Sequence, residues 1–75
     1  MGNPLLKYLA FVKTVEKGSF SRAARALNYA QSSVSKMVAD LEKEWGMTLL
    51  ERSKNGVCLT SAGEQVMPFL RKVLN

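Results

Sequence analysis

The sequence predicts a mainly α domain made of three helices, a β-hairpin and a fourth helix that runs to the last residue. Three observations carry this reading. Apolar residues recur at three- and four-residue steps over 4–17, 19–27, 31–45 and beyond Thr60. Residues that cap or stop helices, namely Gly18, Asn28, Gly46 and Thr60, separate those stretches. Between Gly46 and Thr60 the helical period is lost, and an Asn-Gly pair sits between two short apolar runs.

Each element follows from its own residues. Asn3 is a capping residue and Pro4 a first-turn proline, and Leu5, Tyr8, Leu9, Phe11, Val12 and Val15 continue at helical spacing to Lys17. Ser19 caps a short second helix in which Phe20, Ala23, Ala24 and Leu27 fall at i, i+3, i+4 and i+7, and Asn28 stops it. The third helix spans Gln31 to Trp45 with Val34, Met37, Val38, Leu41 and Trp45 as its apolar stripe, and Gly46 ends it. Two helices joined by so short a turn form a helix-turn-helix unit, and the small Ala23, Ala24 and Ala30 permit a close crossing.

The run LLERSKNGVCL predicts strands near 50–52 and 57–59, with Ser53, Lys54, Asn55 and Gly56 at the tip; Asn and Gly both tolerate the positive φ of a tight turn. A hairpin after a helix-turn-helix is a wing, so the predicted fold is a winged helix-turn-helix with a three-helix core. Thr60 caps the last helix. Its apolar residues Val66, Met67, Phe69, Leu70, Val73 and Leu74 cover an arc of roughly 160°, wider than one core-facing stripe needs. Val66, Met67, Leu70, Val73 and Leu74 are therefore expected to serve dimerisation, and Pro68, on the outward side, to kink the helix. Residues 1–59 form the expected winged unit and 60–75 the start of a linker helix.

Composition narrows the function. A chain of 75 residues, 47% of them apolar, has room for one core but not for a core and a deep substrate cleft. It contains no His and one Cys, so neither an internal disulfide nor a Cys/His metal site is available, and the absence of a base, nucleophile pair or metal site argues against an enzyme. No cofactor is expected. A lone Cys58 suits a reduced, cytoplasmic compartment. No apolar run reaches the roughly 18 to 20 residues of a membrane-spanning helix. The formal net charge of +5 favours a polyanionic partner. Its distribution says more: from Gly18 to Ala39 the chain carries Arg22, Arg25 and Lys36 and no acid, whereas Asp40, Glu42 and Glu44 follow at once.

Candidate contacts lie at the N-terminal end of the third helix, where Ser32, Ser33, Ser35 and Lys36 face away from the apolar stripe. In a helix-turn-helix these residues enter the DNA major groove. Lys36 can reach guanine O6 and N7 or a phosphate, and Gln31 either pairs with adenine or serves the helix cap. Ser33 and Ser35 offer hydroxyls to bases or phosphates, and Ser32 lies in the cap region. Arg22 and Arg25 sit on the helix that crosses the backbone, where phosphate contact is expected of Arg22, while Arg25 either meets a phosphate or is a plain surface residue. On the wing, Arg52, Ser53 and Lys54 are placed to meet phosphates or the minor groove; Arg52 has Glu51 or Glu44 as alternative partners.

These motifs resemble the N-terminal winged helix-turn-helix domain of LysR-type transcriptional regulators. The resemblance rests on GSF-x-x-AA-x-x-L, on Q-x-x-V-S-K-x-V-x-x-LE, on LLER at the wing start and on LTSAGE at the entry to the last helix. It implies a prokaryotic regulator that binds operator DNA as a dimer or tetramer, with the last helix as linker and dimerisation element. It also implies an effector-binding domain outside this chain, through which alone a small molecule would act. It carries DNA contact to Gln31, Ser32, Ser35, Lys36 and Arg52. The chain departs from the family pattern at Ala30, where a capping Ser is frequent, at Ser32 for Pro, at Lys36 for Arg and at Leu50 for Phe.

Overall fold

The computed structural model describes residues 4–75. In chain order it contains α1 (Pro4–Lys17), α2 (Phe20–Leu27), α3 (Gln31–Trp45), β1 (Leu50–Ser53), β2 (Gly56–Leu59) and α4 (Ser61–Leu74). The expected fold class is therefore the observed one; the expected cap at Asn3 lies outside the described residues. Local chemistry sets the boundaries. The Ser19 hydroxyl accepts from the Arg22 N–H at 3.2 Å and opens α2. Asn28, at φ 62°, closes it, with the Asn28 N–H donating to Arg25 O and the Tyr29 N–H to Ala24 O. Gly46 closes α3 in the same way, the Met47 N–H reaching back to Glu42 O at 3.1 Å.

Helix α1 packs against α2, α3, α4 and β2 and is the hub of the domain. Around it the core gathers Phe11, Leu41, Leu49, Leu70 and Val34, all fully buried. Thr14 is buried with them, and its hydroxyl is satisfied by donating to Ala10 O at 2.7 Å. Tyr8 and Trp45 close one side with ring centroids 5.8 Å apart. On the surface beside them, Lys7 of α1 pairs with Glu44 of α3 at 3.0 Å.

The wing is a two-stranded antiparallel hairpin in the register Leu50↔Leu59 to Ser53↔Gly56. Its turn differs from the expected one. Lys54 and Asn55 form the two-residue loop, and Asn55 does not adopt positive φ, so the Asn-Gly pair is not the centre of the turn. Gly56 instead begins β2 at φ 125°, where a Cβ would overlap the Gly18 carbonyl oxygen. The Val57 N–H donates to that carbonyl at 3.2 Å. Close approach to the α1–α2 corner, and not the turn alone, is what requires glycine here.

Helix α4 corrects the expectation for its apolar face. Met67 and Leu70 are 6% and 0% exposed and belong to the core of this chain, so they are not available to a second copy. The reason is the helical period: Gly63, Met67 and Leu70 form the buried stripe of α4, which places Phe69 and Val73 on the outside at 57% and 40% exposure. Val66 and Leu74 are half-buried at the margin. The helix runs unbroken from Ser61 to Leu74 through an exposed Pro68.

Candidate nucleic-acid interface

The N-terminus of α3, the N-terminus of α2 and the wing converge on one side of the domain. A shallow cleft of about 190 Å³ marks the junction, lined by Ser19, Phe20 and Ser21, by Gln31, and by Arg52, Ser53, Gly56 and Val57. Residues from three separate stretches of sequence are thus brought together. Gln31, Arg52 and Ser53 were expected from sequence; Phe20 was expected only as core, and Ser21 not at all. Ser21 gave no signal beyond being an exposed residue in the first turn of α2.

Helix α3 presents Gln31, Ser32, Ser33 and Lys36 to solvent, with Ser35 half-buried. Their exposure follows from the stripe that buries Val34, Val38 and Leu41 on the opposite side. Ala30 offers no side-chain cap, so the first-turn N–H groups keep the electropositive character that favours an anion. Lys36 is 75% exposed and leans toward Asp40 at 3.4 Å, one turn further on. An exposed pair of this kind contributes about 0.3–0.5 kcal/mol and does not prevent Lys36 from changing partner.

The wing places Arg52, Ser53 and Lys54 on its exposed surface. Ser53 Oγ lies 3.4 Å from Gly56 O, within the hairpin. Arg52 takes neither of its alternative acidic partners. Glu44 is bound to Lys7, Glu51 stands opposite Cys58 in the ladder, and the Arg52 guanidinium lies over the Phe20 ring with Cζ 4.4 Å from its centroid.

Arg22 and Arg25 are exposed on the outer face of α2 and border a second, larger hollow of about 500 Å³ together with Lys17, Glu16 and Ala26. Lys17 ends α1, and its proximity to the two arginines is a product of the α1–α2 corner. Three cations against one carboxylate make this hollow suited to an anion. Cys58 is exposed and free. Among the described residues no group of three or more His, Cys, Asp or Glu side chains could hold a metal ion, and no helix is long and apolar enough to cross a membrane.

This arrangement, an exposed polar and basic helix start flanked by a basic hairpin, defines a winged helix-turn-helix module. Residues 5–64 match the family model described as bacterial regulatory helix-turn-helix protein, lysR family, and the chain belongs to that family. It is 41% identical over 70 residues to the HTH-type transcriptional regulator GalR of Pseudomonas putida, covering 93% of this chain and 18% of that protein. It is 37% identical over all 75 residues to the HTH-type transcriptional regulator HdfR of Salmonella newport, which is 26% covered. The chain thus spans about a quarter or less of these curated relatives.

Among solved structures, the CbnR DBD–DNA complex superposes with a TM-score of 0.89 at 31% identity, over 93% of this chain and 80% of that one. The complex of BenM DBD with catB site 1 DNA gives the same TM-score at 37% identity, over 93% of this chain and 79% of that one.

Proposed function

We propose that this chain is the DNA-binding part of a LysR-type transcriptional regulator and that it recognises a specific duplex operator. In this reading the start of α3 enters the major groove, where Gln31, Lys36 and the hydroxyls of Ser33 and Ser35 meet base edges, and Ser32 meets a phosphate. Arg22 contacts the backbone, and Arg52, Ser53 and Lys54 of the wing contact backbone or minor groove. The observation that carries it is the convergence of Gln31 with Arg52 and Ser53 on one cleft at the exposed end of α3. The two similar domains whose structures are DNA complexes support duplex DNA as the partner.

The whole protein is a cytoplasmic regulator and not an enzyme, a homodimer or tetramer whose small-molecule effector binds a domain beyond this chain. Phe69 and Val73, exposed on α4, support association of two copies through that helix.

Selection of bound duplexes from a randomised pool at moderate salt tests the reading. The expected product is an inverted repeat whose halves lie about one helical turn apart. Salt-sensitive binding without any enriched sequence would overturn specific readout.

A further inference from the structure

We infer that Phe20 is a positioning residue for DNA recognition: its ring holds the Arg52 guanidinium beside Gln31, so that the wing offers a fixed cation next to the start of α3. The inference rests on the proposed DNA-binding reading and names a residue that the reading itself leaves in the core.

Phe20 is the first residue of α2 and is 8% exposed. Its ring face carries the Arg52 guanidinium at 4.4 Å, so it is not free to stack on a base. The root of Arg52 is set by backbone geometry. Arg52 pairs in the ladder with Val57, and the Val57 N–H donates to the Gly18 carbonyl at 3.2 Å, two residues before Phe20. The contacts therefore close a ring, from Gly18 to Val57, across the ladder to Arg52, and back through the side chain to Phe20.

An arginine on an open strand samples many rotamers and loses that freedom when it binds. One already laid over an aromatic face loses less. Its neighbour in sequence, Glu51, does not compete for it, because Glu51 lies on the other face of the strand.

The test is a double-mutant cycle on the duplex recovered by selection, read by fluorescence anisotropy over a salt series with wild type, Phe20→Leu, Phe20→Tyr, Arg52→Ala and the Phe20→Leu/Arg52→Ala pair. Phe20→Leu is expected to weaken binding about two- to fivefold, the size of an exposed cation–π contact, with the salt slope unchanged because Arg52 keeps its charge. Phe20→Tyr, which keeps the ring, is expected to retain affinity. Arg52→Ala is expected to flatten the salt slope by about one unit, and adding Phe20→Leu to it is expected to cost nothing more.

Equal weakening by Phe20→Leu with and without Arg52 would overturn the inference, since it would report a core effect. Wild-type affinity in Phe20→Leu would do the same. In case leucine loosens the fold, proton NMR of the free wild type supplies a second reading: the Arg52 side-chain methylene protons are expected upfield from the ring current, and unshifted resonances overturn the contact. A wild type that binds no duplex removes the DNA-binding reading together with this inference. A wild type that binds, loses affinity on Arg52→Ala and shows no coupling to Phe20 removes the inference alone.

Discussion

Glu42 holds the Leu50 backbone N–H at 3.0 Å through the same Oε2 that accepts from the Leu49 N–H at 2.7 Å. One carboxylate near the C-terminal end of α3 thereby fastens the start of the wing. Thr60 fastens its end, its hydroxyl donating to Thr48 O at 2.6 Å and accepting from the Gly63 N–H at 3.0 Å. The wing is consequently registered against α3 at its base and against the α1–α2 corner through Gly18 and Val57.

Truncating that carboxylate leaves two part-buried N–H groups without their acceptor. Glu42→Ala is expected to destabilise the domain by about 2–4 kcal/mol, given charged hydrogen bonds of roughly 1.5–3 kcal/mol each. Glu42→Gln is expected to fall between that variant and wild type. Thermal unfolding followed by circular dichroism measures both; a change below about 1 kcal/mol for Glu42→Ala would show that the clasp is not structural.

Ala30 has the extended backbone of an N-cap, φ −70° and ψ 147°, but no side-chain oxygen. Ala30→Ser is expected to stabilise the domain by about 1 kcal/mol by supplying an acceptor to the first turn of α3. The denaturation midpoint in urea should rise with an unchanged m-value. An unmoved midpoint would mean that the first turn is already satisfied by solvent.

Gly56 is expected to resist substitution for two reasons at once. Its φ of 125° is costly for any side chain, and a Cβ would overlap the Gly18 carbonyl. Gly56→Ala should lower stability by at least about 1–3 kcal/mol and should broaden or shift the amide resonance of Val57, whose hydrogen bond to Gly18 depends on that approach. An intact Val57 resonance in a variant of wild-type stability would contradict this account of the corner.

Lys36 and Lys54 are expected to act differently on DNA. Lys36→Ala should alter which sequences are enriched from a random pool, by about 1–3 kcal/mol at the base pair it reads. Lys54→Ala should weaken binding to every sequence alike and reduce the salt slope by about one unit. The same uniform loss for both would place Lys36 on a phosphate.

Helix α4 separates two roles by angle. Phe69→Asp and Val73→Asp change exposed positions and are expected to lower self-association in sedimentation runs over a concentration series, with little change in melting temperature. Leu70→Ala, in the core at 0% exposure, is expected to cost about 2–5 kcal/mol. If the two aspartate variants associate as wild type does, α4 is not the contact between copies.

The sequence by itself determined the element order, the helix ends and the composition of the exposed start of α3, because each depends on neighbours within a turn or two. Ser19 and Thr60 cap, Asn28 and Gly46 reverse the chain, and Val34, Val38 and Leu41 select a buried face, all from spacing alone. What only the tertiary structure decided is non-local. Met67 and Leu70 are taken by the core, and Phe69 and Val73 are left outside, because the wide apolar arc of α4 meets the core along one stripe. Arg52 lies over Phe20, 32 positions away in sequence, because the Gly18–Val57 hydrogen bond brings the wing to the start of α2. Partner choice among side chains far apart in the chain follows from how the elements pack, which a periodicity cannot encode.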